Sequence, residues 1–240
     1  MLRFILVIAF HLPWLFQFSR MTKKAKKNNY SREEKYQVAK KIVKTIANKS
    51  RAKVEVTGKE NLPDKNGYVL FLNHQGRFDG IAIVNAHDEP VSILIDEKRS
   101  HGLVAEGFLD LIESIRIEKD NPRSAIQSIK ELGERVEKGQ NFAIFPEGIY
   151  YDNKNNLLEF HTGCMHFLKD AKCDIIPTCL YDTYKVYNVN SLKKVKCSVN
   201  YLKSIKYDEY KDLSLKEIAD LIKNRIQEKI DELNENSLTK

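Results

Sequence analysis

The chain has 240 residues, and its 42% hydrophobic and 30% charged content is typical of a folded globular domain, not of a disordered segment. Its 40 basic side chains outnumber 33 acidic ones, and the net charge of +7 predicts an acidic partner, either nucleic acid or an anionic membrane. The sequence has no zinc-finger spacing, RNP-like aromatic block or arginine-lined helix, so we expect no nucleic acid partner. Its four cysteines form no Cys-x-x-Cys pair, which indicates reduced thiols in a cytosolic-side protein and no metal site.

The amino terminus combines an apolar run with a basic cluster. Residues 4–18 include no Asp, Glu, Lys or Arg, and five basic side chains follow them: Arg20, Lys23, Lys24, Lys26 and Lys27. A membrane span needs about 20 apolar residues, so we expect a membrane-associated helix lying in the bilayer surface. Crossing a locally thinned bilayer is an alternative, and a signal peptide is another, although no small-x-small cleavage site follows. We assign residues 1–29 to an anchor with a basic linker, attached to anionic lipid by insertion plus charge, and residues 30–240 to the folded domain.

Helical and strand patterns alternate through the rest of the chain. A capping box at Ser31 predicts one helix, Asn121-Pro122 begins a second with Ile126 on its apolar stripe, and a box at Ser214 begins the last. This alternation predicts an α/β fold with a mostly parallel mixed sheet flanked by helices. The predicted strands are residues 53–57, 68–72, 91–95, 114–117, 141–145, 175–180 and 195–202.

A polar turn follows the strand predicted at 68–72 and reads Asn73-His74-Gln75-Gly76-Arg77-Phe78-Asp79-Gly80. A neutral imidazole can take a proton from a hydroxyl if its other nitrogen is held as a donor, and the Asp79 carboxylate could hold His74 in that state. A separation of five residues is not a helical spacing, so the pair requires an irregular turn, which Gly76 permits. The alternative is that His74 caps the following helix and Asp79 lies at the surface. Because no nucleophile elbow is present, we expect a substrate hydroxyl to attack a bound acyl group directly.

Two motifs together resemble a known family. The first has the form NHxxxxD, and the second, Phe145-Pro146-Glu147-Gly148, follows another predicted strand. In this order they resemble the glycerophospholipid acyltransferases, which make phosphatidic acid from lysophosphatidic acid. The likeness extends over residues 55–180, and three further segments contribute to it: Ile115-Arg116-Ile117-Glu118-Lys119, Phe160-His161-Thr162-Gly163 and Ile175-Ile176-Pro177.

The resemblance implies a glycerolipid acyltransferase-like fold and a reaction. A fatty acyl chain would move from an acyl thioester, acyl-CoA or acyl-ACP, to the 2-hydroxyl of 1-acyl-sn-glycerol-3-phosphate at the cytoplasmic face of a membrane. Acyl carrier protein would be a partner in the second case, and no cofactor or metal would be needed beyond the thioester co-substrate. His74 would be the general base and Asp79 its orienting residue, and the substrate-binding residues would be Asn73, Arg77, Lys119, Glu147 and Gly148.

The sequence departs from the family pattern near the acceptor. Lys119 stands where the family commonly has Arg, Ile149 and Tyr150 replace the Thr-Arg that often follows the second motif, and His161 replaces a Lys. Lysine keeps the charge and loses the bidentate geometry that selects phosphate. Another lysolipid or an amino-lipid is therefore an alternative acceptor, and a catalytically inactive, membrane-binding homologue is a third alternative.

Overall fold

A computed structural model describes residues 3, 5, 12–101 and 105–238 of the protein. The described strands form one sheet, in the order β1-β7-β6-β2-β5-β3-β4. All neighbouring pairs are parallel except β6 and β7, so the sheet is mixed and mostly parallel, as predicted. Every predicted strand is confirmed, with each end within one residue. The strands are β1 Ala52–Thr57, β2 Val69–Leu72, β3 Val91–Asp96, β4 Ile115–Ile117, β5 Asn141–Ile144, β6 Ile175–Tyr181 and β7 Val195–Tyr201.

Helices cover both faces of this sheet. They are α1 Leu12–Lys27, α2 Arg32–Lys49, α3 Asp79–Ala86, α4 Glu97–Ser100, α5 Ala105–Leu111, α6 Pro122–Glu137, α7 Leu168–Ala171, α8 Tyr207–Tyr210 and α9 Leu215–Leu238. Short 3-10 turns follow β1 at Lys59–Asn61, precede α7 at Thr162–Met165 and follow β6 at Thr183–Val186.

The central strand β2 divides the core into two layers. Its four side chains are wholly buried and alternate between the faces, as expected for a strand with helices on both sides. Leu70 and Leu72 pack in the layer that contains α1, α2, α3 and α5, whereas Val69 and Phe71 pack in the layer that contains α6 and α9.

The three predicted helix starts are confirmed by their caps. Ser31 and Glu34 form a complete capping box on α2, and Ser214 accepts a hydrogen bond from the Glu217 N–H at the start of α9. Asn121 caps α6 through the Ser124 N–H. The prediction that Ile126 lies on the buried stripe of α6 is wrong, because this side chain is 71% exposed and lines a cleft.

The basic residues after the apolar run were predicted to lie in a linker, but the structure places them in a helix. Residues 20–27 are helical and belong to α1, which places Phe18 and Ala25 in the hydrophobic core. Much of the predicted apolar run, residue 4 and residues 6–11, lies outside the described residues. Within the described ranges, no helix combines the length and apolar character that a membrane crossing requires.

The parallel strands bring their carboxyl ends to one edge of the sheet. Along this edge, the strands β6, β2, β5, β3 and β4 lie in that order. The polar residues at or just beyond their ends are, in the same order, Thr183, His74, Glu147, Asp96 and Lys119. The carboxyl edge of a parallel sheet is where α/β proteins place their ligands, so this row is the candidate site.

Candidate active site

His74 and Asp79 are in direct contact. His74 Nδ1 lies 2.7 Å from Asp79 Oδ2, as expected from the sequence. The contact forms because α3 begins at Asp79 itself, which turns the first helical side chain back toward the end of β2. Phe78 occupies the cap position without a side-chain bond, so the alternative in which His74 caps the helix is wrong.

The Asp79 carboxylate is buried, and both of its oxygens accept hydrogen bonds. Its Oδ2 also accepts hydrogen bonds from the N–H groups of Gln75, at 2.6 Å, and Gly76, at 2.8 Å, and its Oδ1 accepts from Thr183 Oγ1 at 2.6 Å. These donors stabilise the charged form of a carboxylate that has no exposure to solvent. Since an ionised carboxylate only accepts, His74 Nδ1 carries the proton and Nε2 is left with its lone pair.

Two aromatic rings fix the His74 imidazole on its other sides. The Phe145 ring lies 4.5 Å from it at an interplanar angle of 34°, and the Tyr150 ring lies 4.5 Å away, edge to face, at 76°. The imidazole lines a large cleft, and its Nε2 has no hydrogen bond within the described part of the chain. An imidazole held in one orientation therefore faces the cleft.

The interpretation of Gly76 needs correction. Its φ is not positive, so the turn does not depend on the conformational freedom of glycine. A Cβ at this position would lie 3.3 Å from Asn188 Oδ1, and Asn188 Nδ2 donates a hydrogen bond to the Gln75 carbonyl. Because Asn188 packs against the turn, the space at position 76 favours a residue without a side chain.

Asn73 does not reach the cleft, which is a correction to its predicted role in substrate binding. It is buried, its Nδ2 donates to the Leu180 carbonyl at 2.9 Å, and its Oδ1 accepts from the Leu180 N–H at 2.7 Å. Both halves of the amide are thereby engaged by β6. Asn73 holds the end of β2 beside β6 and positions His74 by this means.

Glu147 supports the same turn from β5. Its side chain is buried, and its Oε1 accepts a hydrogen bond from the His74 backbone N–H at 3.1 Å. Burial raises the pKa of Glu147 to about 8, against the opposing effect of the His74 N–H, so the carboxyl is largely protonated at neutral pH. Its Oε2 is buried as well, so the carboxyl supports the turn from inside the protein.

The second predicted motif forms a tight turn at Gly148, which has a φ of 65°. The Gly148 N–H donates to the Phe145 carbonyl at 2.9 Å, so it is not available to an oxyanion. The N–H groups of Ile149 and Tyr150 come next along the cleft wall, and neither has a hydrogen-bond partner in the described ranges.

The predicted cations lie at the cleft, with one difference. Arg77 is exposed and lines the cleft, as does Lys119. The Lys119 ammonium, however, donates to the Gly148 carbonyl and lies 3.3 Å from Asp96 Oδ2, so protein groups already neutralise part of its charge.

Two further residues complete the site, and sequence reasoning assigned neither of them a role. Thr183 follows the end of β6 at the same sheet edge. Its place in the site could be predicted only from the strand order, which sets β6 beside β2. Arg99 on α4 places its guanidinium 5.3 Å from the centre of the Tyr150 ring and lines the cleft. Tyr150, noted only as a departure from the family pattern, thus contacts both His74 and a cation.

The cleft has a volume of about 1770 Å³ and lies along the carboxyl edge of the sheet. Such a volume exceeds the usual range of roughly 300–1,000 Å³ for small-molecule pockets. Aliphatic and aromatic side chains form most of its walls on both sides of His74, among them Val43, Ile81, Phe108, Ile117, Ile129 and Phe167. The arrangement is suited to long apolar substrates whose reacting group lies at His74.

The fold and site define an acyltransferase-type α/β protein, and comparison with known proteins agrees. A family model described as Acyltransferase matches residues 53–181, which is more than half of the chain, and the chain belongs to this family.

Several relatives and one solved structure are similar to the chain. A protein named 1-acyl-sn-glycerol-3-phosphate acyltransferase from Cocos nucifera is 32% identical over 110 residues, 45% of this chain and 35% of that protein. Proteins of the same name from Salmonella typhimurium and Escherichia coli K12 are each 26% identical over 183 residues, 75% of this chain and 74% of theirs. The crystal structure of the 1-acyl-sn-glycerophosphate (LPA) acyltransferase PlsC from Thermotoga maritima superposes with a TM-score of 0.72 at 18% identity. That match covers 96% of this chain and 92% of that one, and it shows that the two share a fold.

Proposed function

We propose that this protein transfers a fatty acyl chain from an acyl thioester to the 2-hydroxyl of 1-acyl-sn-glycerol-3-phosphate. The observation that carries the proposal is an imidazole, oriented by a buried carboxylate 2.7 Å away, whose second nitrogen faces a long apolar cleft. The relatives named for this reaction support the choice of substrates.

The reaction proceeds by direct attack. His74 Nε2 takes the proton of the acceptor hydroxyl while its oxygen bonds to the thioester carbonyl carbon. Asp79 keeps the proton on Nδ1 and stabilises the imidazolium that forms. The oxyanion is stabilised by the N–H groups of Ile149 and Tyr150. Collapse of the tetrahedral intermediate breaks the C–S bond, and the thiolate takes the proton back from His74, giving the ester and a free thiol.

The acceptor lies between the end of β5 and the cations of the cleft. Glu147 holds the His74 turn through the His74 N–H, and Arg77, Arg99 and Lys119 line the cleft and face the phosphate. The donor carrier is either coenzyme A or acyl carrier protein. No cofactor or metal enters this scheme beyond the thioester itself.

The enzyme acts at the cytoplasmic face of a membrane in this proposal. The four cysteines are free thiols, consistent with a reducing compartment. On α1, Phe16 is 71% exposed, and Arg20, Lys23, Lys24 and Lys27 are exposed beyond it, so this helix presents an aromatic side chain and positive charge to a lipid surface.

The test is a thiol-release assay of the purified chain with acyl-CoA, or separately acyl-ACP, and lysophosphatidate, with mass spectrometry of the lipid product. The His74→Ala variant should lose roughly 10²- to 10⁴-fold in turnover, the usual contribution of a general base. Wild-type protein that releases no thiol would instead indicate a catalytically inactive membrane-binding protein. Activity of the variant within a few-fold of wild type would refute the general-base role.

A second candidate function keeps the chemistry and changes the acceptor. It is favoured by the engagement of Lys119 with Asp96 and Gly148, and by His161, exposed at the cleft, which replaces a family Lys. These features weaken selection for phosphate, so another lysolipid or an amino-lipid would compete. Rates measured with one acyl-CoA across acceptors with and without a phosphate monoester distinguish the two.

A further inference from the structure

An exposed loop of unusual composition lies between the 3-10 turn after β6 and β7. This loop, residues 188–194, reads Asn-Val-Asn-Ser-Leu-Lys-Lys and contains no acidic residue. Val189 is 41% and Leu192 49% exposed, and Lys193 and Lys194 are exposed beside them. A loop that only connects to β7 has no need of two solvent-exposed aliphatic side chains beside two positive charges.

The 188–194 loop is joined to the amino-terminal segment. The buried Arg3 guanidinium donates hydrogen bonds to the carbonyl of Ser191 and, at 2.6 Å, to that of Lys193. Ile5, two residues along the chain, is helical and 54% exposed. Arg3 therefore ties the loop to the amino-terminal segment, in which Ile5 is a further exposed aliphatic side chain.

The same loop also borders the cleft. Asn188 Nδ2 donates to the Gln75 carbonyl at 3.3 Å, within the turn that holds His74. Tyr187, immediately before the loop, lines the cleft together with Gly76 and Arg77, and its ring packs edge to face on Phe78 at 5.6 Å. Any partner surface that binds the 188–194 loop would consequently lie at the rim of the cleft.

We propose that residues 188–194 are a second membrane-contact segment, which docks the rim of the cleft on an anionic lipid surface together with α1. Val189 and Leu192 insert at the boundary between headgroups and acyl chains, and Lys193 and Lys194 lie among the phosphates. This goes beyond the proposed function, in which only the amino-terminal segment contacts lipid. An anionic membrane fits because the loop exposes two aliphatic side chains beside two lysines and contains no acidic residue.

Docking at this position has a consequence for substrate entry. A lysolipid leaving the bilayer would then enter the cleft beside Arg77 without crossing water. The inference does not depend on which acceptor is used, because lipid binding is measured without any substrate.

The test is sedimentation of the full chain with vesicles of phosphatidylcholine alone or mixed with phosphatidylglycerol. Two double variants are compared with wild type: Val189→Ser with Leu192→Ser, and Lys193→Gln with Lys194→Gln. The control is Lys65→Gln with Lys138→Gln, which removes the same charge from exposed positions near the amino ends of β2 and β5, at the opposite edge of the sheet.

We expect the serine pair to weaken binding to both kinds of vesicle by about tenfold. The glutamine pair should weaken binding only to vesicles that contain phosphatidylglycerol, also by about tenfold and less at high salt. The control pair should bind almost as wild type does, and thermal unfolding should confirm that all variants fold.

Either of two results would overturn the proposal. In the first, both loop variants bind vesicles as the control pair does. In the second, wild type is a dimer that the serine pair disperses without changing vesicle binding, which would assign the patch to a second copy of this chain. Absence of acyl transfer by wild type would refute the proposed function and leave this inference standing.

Discussion

Thr183 Oγ1 lies 2.6 Å from Asp79 Oδ1, so a hydroxyl at the end of β6 holds the carboxylate that orients His74 at the end of β2. The hydroxyl has one proton, and although Gln75 Oε1 is only 2.8 Å away, the charged Asp79 is the stronger acceptor. Gln75 Oε1 is satisfied by the Thr183 N–H at 3.0 Å. The ends of β6 and β2 are thus connected through one buried carboxylate.

The first prediction concerns this positioning hydroxyl. Thr183→Val should lower turnover about tenfold and stability by about 2 kcal/mol, since a hydrogen bond to a charged group is worth roughly 1.5–3 kcal/mol. The KM for either substrate should stay near that of wild type, because Thr183 does not line the cleft. Steady-state kinetics and urea denaturation measure the two effects. Thr183→Ser should restore both, whereas a loss of stability with unchanged turnover would show that the hydroxyl has no part in orienting the dyad.

The second prediction concerns the protonation of Glu147. Glu147→Gln keeps an acceptor for the His74 N–H and replaces a neutral acid with a neutral amide, so turnover at pH 7 should stay within a few-fold of wild type. The folded-state pKa is raised from 4.5 to about 8, so the folded state binds the proton more tightly and wild-type stability should fall as pH rises through that range.

Denaturation curves at several pH values measure this second effect. The part of the fall that belongs to Glu147 should be absent from the glutamine variant, and Glu147→Ala should lose activity at every pH because the His74 N–H then has no acceptor. A large loss of turnover in Glu147→Gln at pH 7 would instead indicate that the enzyme needs the ionised carboxylate.

The third prediction separates two adjacent cations on α4. Arg99→Ala should raise the KM for lysophosphatidate at least tenfold, the value of a charge-assisted hydrogen bond to phosphate, and change the KM for a phosphate-free lysolipid little. Lys98→Ala is the matched control, because Lys98 pairs with Asp120 at the surface and does not line the cleft. An equal effect on both acceptors would mean that Arg99 acts only by supporting the Tyr150 ring.

The fourth prediction concerns a buried histidine outside the site. His87 lies between two tyrosine hydroxyls, with Nε2 2.9 Å from Tyr68 and Nδ1 3.0 Å from Tyr201. Burial lowers the pKa of His87 to about 4, and the positive charge of Lys40 acts in the same direction. The unfolded chain therefore binds the proton first as pH falls, near 6.5, and this group should contribute a loss of about 3 kcal/mol in the free energy of unfolding between pH 6.5 and 4.

Urea denaturation between pH 7 and 4 measures this loss. A His87→Gln variant should be less stable than wild type at pH 7 and should lack this acid-dependent component. The control, His166→Gln, removes an exposed histidine and should follow the wild-type curve. Parallel curves for wild type and His87→Gln would contradict the buried, neutral state of the ring.

The sequence was sufficient for the strands and for the pair at the centre of the site. Short apolar runs identify the central strands β2, β5 and β6, and all seven strands were predicted to within one residue. The contact of His74 with Asp79 followed from the chemistry that an imidazole base requires. Their catalytic roles remain predictions until the variants are measured.

Other parts of the site depend on contacts that no local pattern encodes. The family resemblance implied that Asn73 binds substrate, but its amide pairs with Leu180, which is 107 residues away in sequence. Arg99 and Tyr150 meet because β3 and β5 are neighbours, a fact of strand order. Ile126 follows the helical period and is nevertheless exposed, because at that end of α6 an open cleft takes the place of a packing partner.

The way in which Asn73 is held has a consequence for reading related sequences. With one donor and one acceptor, its side chain pairs with Leu180 much as a further strand residue would, so β6 keeps a partner after the main chain of β2 has left the sheet. An aspartate would set its negative charge against the Leu180 carbonyl, and a serine is too short to span both groups. In this chain the asparagine of NHxxxxD is therefore a structural residue, and a relative that kept it without the histidine should preserve the shape of this turn and lack the proposed base.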